Sequence, residues 1–386
     1  MTVFGLMTHR SRRIERYAVY AEEAARAGFE CTVLFTPRDV DLKRKRLTGF
    51  RYDNGRWIRC VSRLPDIVHD FGFYSAPRTI RRVKTIKSPS FGLPFTGYAL
   101  GHKWEIHRRL SRTPYAAYLP ETAPLCSPGQ PLAWLERFGT IVVKPRNGKQ
   151  GKGIVKIHKL GSGRTGCTTF LWKEGDRRSR RLCRERLLRK LWRRFAPRKA
   201  ILQRWMDIRS PKGGVFDIRA LVQKTEGDVW RLTEMAVRQS GVGHIAANVS
   251  RGGTAASPYG FLVLLYGEPA AESIVRQCRD IAAGLPGELE KQYGKRFAEL
   301  GIDLAVERGG RVRLIEINIK PGKKIVRALS GEEAYADAVV TPVRYAKWLS
   351  DRRDSLWTGS SPQILPAANT DNRRSPRPET GRPSSE

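Results

Sequence analysis

Residues 301–322, GIDLAVERGGRVRLIEINIKPG, have the pattern of a β-hairpin and contain Asp303, Glu316 and Asn318, whose side chains could bind a metal ion. Two β-rich runs flank two adjacent glycines, a pair typical of a two-residue turn. A turn centred there places Asp303 directly opposite Glu316, with Asn318 two residues further on the same side. These side chains offer only oxygen ligands, which suit a hard cation such as Mg²⁺ or Mn²⁺.

Directly opposed carboxylates repel each other, so a positive charge is expected beside them. A metal ion would supply it, and so would arginines paired with each carboxylate on a solvated face; both interpretations stay open at this point. The metal interpretation depends on the turn, because a shift of one residue in register would send the two carboxylates to opposite faces.

A glycine- and lysine-rich loop lies between two predicted strands within residues 140–158. Backbone N–H groups in such a loop can approach phosphate oxygens closely, and the lysines add positive charge. It is not a Walker A loop, because the lysine spacing is wrong and a strand follows where a helix belongs. We predict a flap over a triphosphate, with an ordinary hairpin loop as the alternative. The loop comprises Gly148, Lys149, Gln150, Gly151, Lys152 and Gly153.

Two lysines outside the loop are further candidates for binding phosphate. Lys144 ends the strand before the loop, and Lys103 lies in the first turn of a helix predicted near residues 102–110. A cation is disfavoured at a helix N-terminus, so a bound anion would explain Lys103. Two polar strands add charged residues: Asp217 and Arg219 share one face of the first, and Arg238 lies on the second.

The elements that must position these residues fall into three segments and a tail. Residues 1–95 alternate strands and helices in the manner of a Rossmann-like layer, without the G-x-G-x-x-G of a dinucleotide site. Residues 96–205 hold the glycine loop and a basic helical insert at 173–200, and residues 206–351 hold the polar strands and the hairpin. Residues 352–386 are rich in Arg, Ser and Pro and are predicted to be disordered.

The composition narrows the class of protein. The 386 residues carry a formal net charge of +35, which favours encounter with polyanions. No apolar run approaches the length of a membrane span, and no secretory signal is apparent. Six scattered cysteines lack metal-ligand spacing, so we expect reduced thiols in a cytoplasmic protein.

Taken in order, these motifs resemble the ATP-grasp fold. The resemblance is carried by V-V-K-P at Lys144, by Q-R-W-M at 203–206, by F-D-I-R at 216–219 and by G-I-D…E-I-N-I-K-P-G. The run G-H-K-W-E-I-H-R-R-L followed by L-P-E-T is similar to the YheC/YheD group of endospore coat-associated ATP-grasp proteins. The implied fold class is α/β (α+β), an ATP-grasp fold after an N-terminal Rossmann-like (pre-ATP-grasp) domain.

The resemblance also implies roles for individual residues. Lys103 and Lys144 would contact the phosphates of ATP beneath the glycine loop, and Asp217, with Asp207 as the alternative, would hold the ribose. Arg219 and Arg238 would lie near the transferred phosphoryl group. One or two Mg²⁺ (or Mn²⁺) ions would be held by Asp303, Glu316 and Asn318. Adenine would be recognised by Gln203, Arg204, Trp205 and Met206, with Gln203 where the family usually has an acidic residue.

The activity that the resemblance implies is ATP-dependent ligation of a carboxylate to an amine through an acylphosphate. A non-catalytic nucleotide-binding scaffold, in contact with spore coat proteins, is the second interpretation. A third is polyanion or nucleic-acid binding through the insert at 173–200, which has 13 basic and 3 acidic residues and so a charge of +10. For that insert a solvated helix is the simpler expectation.

Overall fold

The computed structural model describes residues 1–9, 12–147, 153–162, 168–174, 180–196, 199–208, 214–242 and 254–352. Within these residues the chain forms three β-sheets, one in each of the three segments expected from the sequence. Each sheet has helices packed on it, and buried apolar side chains fill the space between.

The first sheet is mixed, with strand order β3-β4-β2-β1-β6 and β5 paired to β4. Strand β1 runs parallel to both β2 and β6, whereas β4 is antiparallel to β2 and β5. Helix α1 (Ala18–Arg26) is followed by Gly28, whose φ of +91° suits a residue without a side chain. The strands are β1 (Val3–Met7), β2 (Cys31–Phe35), β3 (Val40–Asp41), β4 (Arg46–Asp53), β5 (Arg56–Arg63) and β6 (Ile67–Asp70).

Helices α2 (Pro77–Ile86) and α3 (Lys103–Leu110) lead to the second sheet, which has the order β11-β10-β9-β8-β12-β7. Helices α4 (Gln130–Phe138) and α5 (Arg184–Phe195) share its apolar core. The strands are β7 (Thr122–Pro124), β8 (Thr140–Pro145), β9 (Val155–Ser162), β10 (Thr168–Glu174), β11 (Arg180–Cys183) and β12 (Ala200–Arg204).

The prediction of a helical insert over 173–200 is partly wrong. Among the described residues of this range, α5 is the helix, whereas 173–174 belong to β10 and 180–183 form strand β11, which pairs with β10. Leu182 of β11 is buried in the same core as α5, so strand pairing and burial outweigh the helical pattern of the neighbouring residues.

The third sheet is antiparallel, with strand order β15-β14-β13-β16-β17. Helices α6 (Pro258–Tyr266) and α7 (Glu268–Tyr293) cover its apolar face. Helix α8 (Lys324–Asp351), interrupted at Gly331, covers part of the other face and ends against the first sheet. The strands are β13 (Gly214–Lys224), β14 (Trp230–Val242), β15 (Thr254–Ala256), β16 (Glu299–Val306) and β17 (Val312–Asn318).

The β16–β17 hairpin has the predicted pairing of acidic residues but not the predicted turn. Asp303 pairs with Glu316, whereas Leu304 pairs with Leu314 rather than with Ile315. The turn is longer than two residues, because the N–H of Glu307 donates to the carbonyl of Arg311 at 3.0 Å. A bulge at the skipped Ile315 corrects the resulting offset, so both carboxylates remain on one face.

None of the helices in the described ranges is both long enough and apolar enough to cross a membrane. The five cysteines within those ranges are free thiols.

Candidate functional site

One face of the third sheet carries a row of charged side chains across neighbouring strands. Arg219 of β13 lies directly opposite Asp303 of β16, which in turn lies opposite Glu316 of β17. The alternating residues of the same strands point the other way, into the core beneath α7. The core residues include Phe216, Ile218, Ile302, Leu304 and Ile317. Strand alternation therefore fixes which face is polar.

Asp303 is the buried centre of this row, with 6% of the residue exposed. The Nε of Arg219 donates to its Oδ1, and the Nη2 of Arg219 lies 2.9 Å from its Oδ2. The same Oδ2 lies 3.2 Å from Nη2 of Arg238 and 3.2 Å from the amide nitrogen of Asn318. Arginines pair with Asp303, as expected if the carboxylates were neutralised without a metal. However, Asp303 is buried, so the prediction of a solvated face is wrong for this residue.

Arg238 also pairs with the second buried carboxylate, Asp217. Both oxygens of Asp217 accept hydrogen bonds from Arg238, each at 2.6 Å. Burial, opposed by Arg238 and reinforced by Asp303, raises the pKa of Asp217 to about 6. Burial alone would lower the pKa of Arg238, but the two carboxylates raise it well above its usual range. The two arginines and two aspartates therefore form one buried, mutually neutralising group.

Two lysines reach this face from the second segment. Lys103, in the first turn of α3, places its Nζ 2.6 Å from Oε1 of Glu316. A lysine is unfavourable at a helix N-terminus, so an anion is expected beside Lys103; here the carboxylate of Glu316 is that anion. Lys144 of β8 places its Nζ 2.5 Å from Oε1 of Gln203 instead of a carboxylate. Burial, reinforced by Lys103 and opposed by Glu316, lowers the pKa of Lys144 to about 8.

The residues expected to recognise adenine lie at the end of β12 and just beyond it. The amide nitrogen of Gln203 donates to Thr122 at 3.0 Å, which fixes the side chain between Thr122 and Lys144. Arg204 pairs with Glu121 and with Glu307, each at 2.7 Å, and so ties the second sheet to the hairpin turn of the third.

Trp205 and Met206, which follow β12, have different surroundings. Trp205 lies beneath the ammonium of Lys156, which is 3.9 Å from the ring centroid. Met206 is buried with Ile208 and Ala305.

Most of the predicted phosphate flap lies outside the described residues. The residues of the flap that lie outside are Gly148, Lys149, Gln150, Gly151 and Lys152. Gly153 is described and has a φ of +76°, a conformation that side-chain-bearing residues rarely adopt.

The oxygen donors fit a magnesium ion that phosphate oxygens also bind. Mg²⁺ commonly takes one or two carboxylates and completes its shell with phosphate and water. Glu316 is about one-third exposed and Asn318 half-buried, so both are accessible. Asp303 would have to exchange an arginine contact to ligate an ion. Across the described part of the chain, no three His, Cys, Asp or Glu side chains are grouped closely enough to hold a metal by themselves.

Lys320, to which no sequence motif assigns a role, lies two residues beyond Asn318, the last residue of β17. Its Nζ lies 3.1 Å from Oδ1 of buried Asp70, at the carboxyl end of β6. The period of two along I-E-I-N-I-K is the signal that could have found it. Lys320 thus joins the segment after β17 to the first sheet.

The fold places the chain among the ATP-grasp proteins. It superposes with a TM-score of 0.52 on D-alanyl-alanine synthetase A from Vibrio cholerae, covering 90% of this chain and 98% of that one at 9% identity. A sequence model described as "YheC/D like ATP-grasp" matches residues 92–349, and the chain belongs to that family. Both the predicted fold and the predicted family are confirmed.

Two relatives from Bacillus subtilis (strain 168) are similar over most of their length. The endospore coat-associated protein YheC is 25% identical over 342 residues, which cover 86% of this chain and 92% of the relative. The endospore coat-associated protein YheD is 22% identical over 350 residues, which cover 86% and 74%.

Proposed function

We propose that the chain binds Mg–ATP where α3 and β8 meet the polar face of the third sheet, and that it uses ATP to join a carboxylate to an amine. The observation that carries the proposal is the convergence of Lys103 and Lys144 on the carboxylate row of β16 and β17. Phosphates need cations and a metal, and this face offers both cations and the oxygen ligands of a hard metal.

The nucleotide would lie with its phosphates against the two lysines and its base against residues 203–206. Glu316 and Asn318 would hold one or two Mg²⁺ or Mn²⁺ ions, joined by Asp303 if it exchanges an arginine contact. Gln203 would offer its amide to the adenine edge, since the side chain can present either an oxygen or an NH₂ group. Asp217 would hold the ribose only if Arg238 releases one of its oxygens.

In the proposed reaction the bonds form and break between ATP and the two substrates, and the protein mainly positions them. A carboxylate oxygen attacks the γ-phosphorus and ADP leaves; the amine then attacks the acyl carbon and phosphate leaves, which forms the C–N bond. The metal, when bound, neutralises phosphate charge. Arg219, Arg238 and Lys144 would stabilise the charge that spreads over the transferred phosphoryl group, and they are held in place by partners before the substrate arrives.

Binding can be tested by calorimetry with Mg–ATP on wild type and on Glu316→Ala/Asn318→Ala. We expect the double variant to lose affinity by about tenfold or more, equivalent to about 1.4 kcal/mol, and to match wild type when EDTA removes the metal. Glu272→Ala/Gln277→Ala on α7 is a control of similar chemistry away from the site. Equal Mg–ATP affinity in wild type and the double variant would remove the proposed metal site.

Catalysis needs a separate measurement, because a nucleotide-binding scaffold would pass the binding test. Phosphate release should require both a carboxylate and an amine, so a screen of such pairs would identify the substrates. Release with neither compound, or none with any pair, would favour the non-catalytic interpretation.

We further propose that the protein is made in the cytoplasm and associates with spore coat proteins. The association with the coat rests on the names of the two Bacillus relatives alone. Fluorescent fusions in a sporulating host would test it, and a signal that never concentrates at the spore surface would contradict it.

A further inference from the structure

Helix α5 has an inner face that is fixed by packing. Its residues Leu187, Leu191 and Phe195 are buried in the core of the second sheet, where Ile141 and Val143 of β8 also lie. These three positions are separated by four residues and define a single stripe along the helix. The orientation of the opposite face is therefore determined as well.

That opposite face carries arginine. Arg186, Arg189 and Arg193 are exposed and spaced at i, i+3 and i+7, so they form a stripe about 10 Å long directly opposite the buried one. Trp192, 36% exposed, lies at the edge of the stripe. The helix has six basic residues and one acidic residue, Glu185. Throughout the described ranges, no carboxylate forms an ion pair with these three arginines.

Helix α7 provides a comparison within the same chain. Its exposed Arg276 and Arg279 alternate with acidic residues, since Glu272 and Asp280 lie four positions either side of Arg276. Such interspersed charge is the ordinary pattern of a solvated helix. The uniform charge of α5 differs from it, and solubility alone does not require a single sign.

We propose that the exposed stripe of α5 (Arg186, Arg189 and Arg193, with Trp192 beside it) binds the phosphate backbone of nucleic acid. The guanidinium fork matches two phosphate oxygens at once, which makes arginine better suited to this contact than lysine. Because phosphates of one strand are about 3.4 Å apart along the helix axis, the stripe spans about three of them. The net charge of +35 brings any polyanion towards the protein.

This surface is separate from the proposed nucleotide site. Ile141 and Val143 of β8 face α5, so the alternation of the strand places Lys144 on the opposite side of the sheet. The proposal therefore stands or falls independently of ATP binding.

The test measures the affinity of the full chain for a 20-base-pair DNA duplex by fluorescence anisotropy between 50 and 200 mM NaCl. Each phosphate contact contributes about 0.9 to the slope of log K against log salt, so Arg186→Gln/Arg189→Gln/Arg193→Gln should reduce that slope by about 2.7. Replacing the same three residues by Lys should preserve most of the slope while weakening binding. The control variant is Arg276→Gln/Arg279→Gln/Arg311→Gln, which removes the same charge elsewhere and should preserve the slope.

Three results would overturn the proposal. In the first, wild type shows no salt-dependent binding. In the second, the control variant loses as much slope as the α5 variant, which would mean that net charge and not the α5 stripe determines binding. In the third, polyglutamate would compete as well as DNA at equal charge, which would point to an acidic protein as partner. Unchanged melting temperatures of all variants would show that the comparison concerns binding and not folding.

Discussion

The buried histidine of β6 gives a prediction about acid stability. His69 is 7% exposed, and its Nδ1 lies 2.7 Å from Oγ1 of Thr96. Burial, reinforced by the positive charges of Lys323 and Lys320 and opposed by Asp70, lowers the pKa of His69 to about 3. The ring therefore stays neutral in the folded protein throughout the range in which a free histidine would gain a proton.

The sign and size of the effect follow from this difference. The pKa of an unfolded histidine is about 6.5, so below that pH the unfolded chain binds a proton that the folded chain does not, and folding stability falls. From pH 7 to pH 5 this one residue should remove about 2 kcal/mol from the free energy of unfolding. The stability is fully present above pH 6.5 and is lost progressively as the pH falls towards 3.

Urea unfolding of wild type and His69→Gln at pH 7, 6 and 5 would measure it. Glutamine keeps a polar group near Thr96 but does not titrate, so wild type should lose about 2 kcal/mol more than the variant between pH 7 and 5. Carboxylates that titrate in this range, such as Asp217, affect both proteins equally and cancel. Parallel losses, or an NMR titration of His69 in the folded protein near pH 6, would refute the reasoning.

Two further predictions concern the proposed site. Gly301→Ala should lower the free energy of unfolding by about 1–3 kcal/mol, because a Cβ there would lie 2.8 Å from Cβ of Pro321 and 3.2 Å from Nη1 of Arg219. The control is Gly309→Ala, which has open space around it and should change the free energy of unfolding by less than about 0.5 kcal/mol. Lys144→Met should raise the thermal stability of the ligand-free protein, because it removes a buried cation, while weakening Mg–ATP binding in calorimetry; lower stability together with normal binding would contradict both expectations.

Local patterns predicted strands better than they predicted pairing. The period of two in residues 301–319 gave the two strands and their polar face, because alternation depends only on neighbouring residues. The offset produced by the longer turn and its correction at Ile315 could not be foreseen, since a bulge changes register without changing the alternating pattern. The pairing of Asp303 and Glu316 was therefore correct although the turn from which it was derived was wrong.

Contacts between residues far apart in the chain could not be predicted from the sequence. Arg219 and Asp303 are 84 residues apart, and they meet only because β13 lies next to β16 in the sheet. Residues 180–183 are a similar case, because their strand depends on pairing with β10. The roles of Asp303, Glu316 and Asn318 as metal ligands stay predictions, since sequence and geometry define the donors but not their occupant.

The distribution of charge indicates what the site still requires. Four cations (Arg219, Arg238, Lys103 and Lys144) and three anions (Asp217, Asp303 and Glu316) converge there, which leaves a net charge of +1. Lys144 contacts the amide of Gln203, whereas the other three cations contact carboxylates. An anion placed beside it would raise its lowered pKa, so binding of a triphosphate and protonation of Lys144 would favour each other. The other three cations are already oriented by carboxylates, which is the preorganisation that phosphoryl transfer uses.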